Sequence, residues 1–193
     1  MAIACWLRSR RSHFNNISLF PGAMTETGIL PALHPDCLAC QMMAGTHPVP
    51  GGTIAENPWW VADHCVGPYG LGSVVLKTRA HRENLWDLSV AESASLGPFL
   101  QQLSEAIALA MAAERVYVSL WVDQPPYHVH FVLQPRYPDH HHPQELGLKG
   151  LELQVFRTLG KPPLAPEMVE AAERIRTVWQ EKFAPQAKAE CES

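Results

Sequence analysis

No apolar run among the 193 residues approaches the ~18–20 needed for a membrane-crossing helix, which predicts no membrane partner. Positive charge is also in short supply. Fifteen lysines and arginines against 19 aspartates and glutamates give a net charge of −4 and a pI near 6.2. That balance argues against a nucleic-acid polymer or an anionic membrane surface as partner. A pattern of paired cysteines is missing too. Cys5, Cys37, Cys40, Cys65 and Cys191 are odd in number and contain one close pair. This excludes a secreted disulfide framework and predicts a reducing compartment, the cytoplasm. A framework is not needed, because 47% hydrophobic residues suffice for a core in a chain of this length. Acidic residues are absent before Glu26, while Arg8, Arg10 and Arg11 precede it. Residues 1–30 are therefore predicted to be an extension outside the folded domain, disordered rather than a transit peptide, since no amphipathic pattern accompanies the arginines.

The most strongly patterned stretch is Tyr127–Tyr137, YHVHFVLQPRY. Val129, Phe131 and Leu133 alternate with His128, His130, Val132 and Gln134, a period of two that predicts a strand with one apolar and one chemically active face. Pro135 is expected to end it, because proline cannot donate to a sheet ladder. A second strand, Val116–Val122, precedes it through the turn Asp123-Gln124-Pro125-Pro126 and predicts an antiparallel hairpin. Thr53–Asp63 reads as a strand pair broken at Glu56-Asn57-Pro58, and Ser73–Arg79 as another short strand.

Ser89 followed by Glu92 is a capping box. Leu96, Leu100, Leu103, Ile107 and Met111 then recur at helical spacing to about Ala113, and Pro98 is expected to kink this helix without ending it. A last helix is predicted near residues 166–183, with Met168, Ala172, Ile175, Trp179 and Phe183 as its buried stripe. Trp59, Trp60, Trp86 and Trp121 are expected in the core or on an apolar association surface. His140, His141 and His142 form one run in a Pro-flanked loop, read as solvated.

Cys37 and Cys40 have the spacing of a zinc half-site, although C-x-x-C also serves as a redox pair when a βαβ unit surrounds it, and none is visible here. A closed zinc site needs two further ligands, for which His34, His47, His64, His81, His128 and His130 are the candidates.

Two blocks together carry a family resemblance. GSVVLKTRAHRENLWDLS, Gly72–Ser89, resembles the stretch of histidine-triad proteins that reads G-H-x-L-V-x-P-K-x-H before a leucine-rich helix lead-in. HVHFVLQPR, His128–Arg136, resembles their signature H-φ-H-φ-H-φ-φ-P-R, where φ is apolar. The blocks occur in the family's order, and Cys37 and Cys40 lie where its zinc-binding members carry cysteines, so the resemblance spans about residues 35–138.

The resemblance implies an α+β fold: an antiparallel sheet of about five strands over residues 31–140, one main packed helix, and a C-terminal extension over 141–193. It implies a structural zinc held by Cys37, Cys40, His81 and His128, as in the galactose-1-phosphate uridylyltransferase branch. It implies that His130 attacks the α-phosphorus of a nucleotide or nucleotide conjugate, as in the family's hydrolases and nucleotidyltransferases, with Asp63, Gln124 and Arg136 near the nucleotide. A homodimer is implied as well. Val132 stands at the third histidine position and Ser73 at the histidine of the G-H pair. Valine has no donor for a phosphate oxygen, so the alternative is a catalytically inert nucleotide- or partner-binding module that keeps the fold and the zinc.

Overall fold

The computed structural model describes residues 33–67, 69–122, 124–137 and 163–184. The expectations for residues 1–30, for the histidine run 140–142 and for the tail beyond residue 184 lie outside the described residues. The element order is α1 (Leu38–Met43), β1 (Thr53–Glu56), β2 (Trp60–His64), β3 (Val74–Thr78), a 3₁₀ turn (Leu85–Asp87), α2 (Val90–Met111), β4 (Arg115–Leu120), β5 (His130–Arg136) and α3 (Ala165–Lys182). The strands form one five-stranded sheet, ordered β1-β2-β3-β5-β4, in which every neighbouring pair is antiparallel. The expected α+β architecture is therefore present, and β5, the histidine strand, lies in the sheet interior.

Period-two alternation divides the sheet into two faces. Ala62, Leu76 and Phe131 stand opposite one another across β2, β3 and β5, as do Val74 and Leu133. With Trp60 they form the core beneath α2 and α3. The other face carries Asp63, Val75, Lys77, His130 and Val132, again in mutual register. Since register sets which side chains share a face, a slip of one residue would turn the histidine into the core.

Helix α2 starts as its sequence dictates. Ser89 Oγ accepts from the Glu92 amide at 3.2 Å and Glu92 Oε2 accepts from the Ser89 amide at 2.6 Å. Phe99, Leu103, Ala106, Ile107 and Ala110 are its most buried apolar residues, with Leu96 and Leu100 flanking them. The helix runs unbroken through Pro98. An interior proline costs about 3 kcal/mol, whereas full burial of Phe99, Leu103 and Ile107 returns roughly 1.5–3 kcal/mol each, so packing wins. Trp60 is the one fully buried tryptophan of the four expected, and its Nε1–H donates to the Glu92 carbonyl and Ser95 Oγ, both at 3.1 Å. Trp59, Trp86 and Trp121 are exposed.

Two expectations about β5 change. The strand continues through Pro135 to Arg136, because beyond the Val74–Leu133 pair β3 supplies no further partner and a proline can sit where the ladder is one-sided. Regular pairing begins at His130, not Tyr127: the Val129 amide donates to the Arg82 carbonyl at 2.7 Å instead of continuing the ladder.

Helix α3 buries Met168, Ala171, Ala172 and Ile175 against α2 and β1. Arg174 donates to the Ala110 carbonyl at the end of α2, and Arg176 to the carbonyls of Gly51 and Thr53. Gly51 holds φ +75°, and a Cβ there would lie 2.6 Å from that of Ala172. Gly51→Ala is expected to cost about 1–3 kcal/mol in urea unfolding, because it combines an overpacked contact with a left-handed backbone. His64, fully buried at the end of β2, donates from Nδ1 to the Cys65 carbonyl at 2.8 Å and accepts from the Gly72 amide on Nε2 at 3.0 Å. Burial lowers its pKa from 6.5, so it is neutral when folded and takes up a proton on unfolding. Its stabilising contribution is present above pH 6.5 and is lost as pH falls below it. The stability advantage of wild type over His64→Gln should therefore shrink between pH 7.5 and pH 5, measured by urea unfolding at each pH.

Candidate functional site: a cysteine-histidine cluster beside a cavity

Cys37 precedes α1 and Cys40 lies within it, so one helical turn brings both thiols to the same side. His81 follows β3, and His128 precedes β5. One candidate ligand atom from each of these four residues lies within 4.8 Å of all the others. His128 Nδ1 is 3.4 Å from Cys37 Sγ and 3.6 Å from Cys40 Sγ, and His81 Nδ1 is 3.4 Å from Cys40 Sγ. A tetrahedral zinc with Zn–S of about 2.3 Å and Zn–N of about 2.0–2.1 Å separates sulfur from nitrogen by roughly 3.5 Å. The donor set and its spacing fit that ion.

The far side of His128 supports the same use. Its Nε2 lies 2.9 Å from the Thr78 carbonyl, an acceptor only, so Nε2 carries the proton and Nδ1 keeps a lone pair toward the sulfurs. Burial lowers the pKa of His128 to about 4, which keeps the ring neutral as a ligand must be. Burial also pushes the Cys40 thiol up to about 11. A cation reverses that preference, since a coordinating thiol is deprotonated outright. His81 is lowered mainly by burial, then by His34, whose ring stacks on it at 5.1 Å. Of the other candidates, His64 is spent on backbone bonds and His47 borders a different cavity.

His130 stands opposite Lys77 on the face that also carries Val132. Its Nδ1 is 2.7 Å from the His128 carbonyl, an acceptor only, and must donate to it, which makes Nε2 the ring nitrogen that can present a lone pair. The ring lines a cavity of about 320 Å³ together with His128, Val132, Lys77, Gln124 and Tyr69. Leu38, Ala39 and Met42 of α1 form one wall, so the helix carrying the cysteines also shapes the space over His130. Val132 is buried and lines this cavity at the third histidine position.

The remaining expected residues divide. Gln124 reaches the cavity. Asp63 does not line it: its carboxylate is buried, pairs with Lys77, and borders a second cavity of about 350 Å³. Arg136 lies at the opposite end of β5 from His130, where it donates to Glu114 Oε2 at 3.0 Å and Tyr117 Oη at 3.1 Å. Lys77 and Thr78 are the site residues that sequence reasoning missed. The signal for Lys77 was available, a charged side chain directly after the apolar run Val74-Val75-Leu76 of a five-residue strand.

No family model matches the sequence, and no curated protein matches it. Solved structures do. A HIT-like protein involved in cell-cycle regulation from Bartonella henselae is 16% identical with a TM-score of 0.58, over 76% of this chain and 98% of that one. A zinc-bound histidine triad family protein from Mycobacterium smegmatis is 15% identical with a TM-score of 0.58, over 78% and 97%. A hypothetical histidine triad nucleotide-binding protein from Sulfolobus tokodaii is 16% identical with a TM-score of 0.59, over 75% and 93%. The chain has the histidine-triad fold. In that fold the strand order of this sheet brings the two sequence blocks, Gly72–Ser89 and His128–Arg136, side by side through the β3–β5 pairing.

Purified protein is expected to carry close to one equivalent of zinc by metal analysis, and Cys40→Ser to lose most of it with a lowered melting temperature. His130→Ala should leave the metal content unchanged, because His130 is not one of the four clustered ligand residues. A wild-type content below about half an equivalent, unaltered by Cys40→Ser, would exclude the site.

Proposed function

We propose that the chain is a nucleotide-handling protein of the histidine-triad kind, in which His130 is a nucleophile toward the α-phosphorus of a nucleotide conjugate. The observation that carries this reading is the hydrogen bond from His130 Nδ1 to the His128 carbonyl, which leaves Nε2 free on the wall of the cavity. Nε2 attacks phosphorus with its lone pair, and the P–O bond to the leaving group breaks, that group departing with the bonding electrons. A water or an acceptor hydroxyl then attacks the same phosphorus, the N–P bond breaks, and the imidazole is regenerated. Gln124 is assigned to the nucleotide; Arg136 is assigned to holding β4 against β5.

In the same reading Cys37, Cys40, His81 and His128 hold a structural zinc, in the pattern of the galactose-1-phosphate uridylyltransferase branch. Four protein ligands leave the ion no open position, so it supplies folding energy and fixes α1 over the cavity. The name of the Sulfolobus protein, a nucleotide-binding one, supports a nucleotide as ligand, and that of the zinc-bound Mycobacterium protein supports the metal. A cytoplasmic location is consistent with the free thiols of Cys37, Cys40 and Cys65. Homodimer formation is assigned to the sheet edge at β4, beside which Val118, Leu120 and Trp121 are exposed.

Val132 favours a second reading. Loss of one donor aimed at developing charge costs about 10²–10³ in rate, so a valine at this place suits a module that binds a nucleotide without transferring it. Incubation with nucleoside phosphoramidates and dinucleoside polyphosphates separates the two. The first reading expects a nucleotidyl adduct in the intact mass of the wild type, absent from His130→Ala at unchanged zinc content. No adduct, together with unaltered nucleotide binding by His130→Ala, would establish the inert module.

A further inference from the structure

The side chain of Lys77 is 1% exposed and sits in the middle of the chemically active face. It stands directly opposite His130 in the β3–β5 register, which places the two Cβ atoms within about 4.5–5.5 Å. Both residues line the same cavity, and Val132 lies on the same face beside them, opposite Val75. Asp63 Oδ2 accepts from Lys77 Nζ, and Asp63 itself borders the second cavity and not this one. An ammonium has three donors, and this bond uses one of them.

Stability gives no reason for such a pair. Buried ion pairs contribute no more than apolar residues of similar volume, and Val61 and Val75 beside this pair show that the face accommodates aliphatic side chains. The pair does, however, hold a lysine in the lining of the cavity where the proposed chemistry lacks a donor. Valine at position 132 cannot bond a phosphate oxygen; the lysine across the strand from His130 can.

We propose that Lys77 donates to the α-phosphate oxygens of a nucleotide held at His130, standing in for the donor that Val132 lacks, with Asp63 keeping the ammonium in position. This rests on the reading that a nucleotide phosphate lies at His130. Lys77 is neither base nor nucleophile in it: it keeps its protons while the Nε2–P bond forms and the P–O bond breaks, and stabilises the charge on the phosphoryl oxygens.

Lys77→Met alone strands a buried carboxylate, so the informative protein is the double variant Asp63→Leu/Lys77→Met, which removes both charges at once. Its fold is checked by circular dichroism, a cooperative melt and zinc content. Two readouts are taken: the rate of nucleotidyl adduct formation on His130, and the affinity for each of four ribonucleoside monophosphates beside its nucleoside. The double variant should form adduct about 10²-fold more slowly and lose its preference for monophosphate over nucleoside, while nucleoside affinity stays within about twofold. Adding Val132→Gln to it should restore at least about tenfold of the adduct rate, a rescue that a merely structural lysine would not produce. Adduct formation at the wild-type rate in the double variant overturns the role of Lys77 and leaves His130 as nucleophile. Absence of adduct even in wild type, with the monophosphate preference lost in the double variant, overturns the nucleophile and upholds the Lys77 contact. A wild type that binds neither monophosphates nor nucleosides overturns both.

Discussion

The hydrogen bond between His128 Nε2 and the carbonyl of Thr78, 2.9 Å long, joins the end of β3 to the approach to β5. It decides the tautomer of His128 and turns Nδ1 toward Cys37 and Cys40. The Thr78 amide completes the junction by donating to the Val129 carbonyl at 3.3 Å. One step further along each strand is the Lys77–His130 pair, so the same junction sets which residue faces His130. An imidazole with the opposite tautomer would offer the sulfurs a proton in place of a lone pair.

Around this junction the molecule keeps two kinds of interior apart. The face under α2 and α3 is a continuous apolar core, non-directional in its energetics and tolerant of substitutions of similar volume. The opposite face buries Asp63, Lys77, His128 and Gln134, each of which costs free energy unless its polar atoms are matched. The core bears that cost. Arg82 links the two interiors: its guanidinium holds both carboxylate oxygens of Glu92 at the start of α2 at 3.2 Å, and its carbonyl accepts from the Val129 amide.

Agreement with histidine-triad structures over about three quarters of the chain, at 15–16% identity, speaks for the backbone. The site speaks through its own residues: a cysteine-histidine tetrad with tetrahedral spacing, a histidine fixed by its chain, and a valine where a donor is expected. Val132 and Ser73 are positions at which this chain departs from the family pattern, and Lys77 lines the same cavity as Val132.

Local chemistry was legible from the sequence alone. The alternation around His128–Leu133, the capping box Ser89–Glu92, the break at Glu56-Asn57-Pro58 and the C-x-x-C spacing all depend on residues within a turn or a strand of each other, and they emerged as read. The two histidines of the cluster, His81 and His128, were legible only as positions in a family pattern, since 91 residues separate Cys37 from His128 and no local rule spans that distance. What only the tertiary structure decided are pairings set by strand register. Register made Pro135 acceptable inside β5, sent Arg136 to Glu114, and drew Asp63 into a buried bond with Lys77. The sequence determined which faces the strands would have; the order in which β5 inserts between β3 and β4 determined what each face would meet, because cross-strand neighbours are chosen by topology and not by adjacency in the chain.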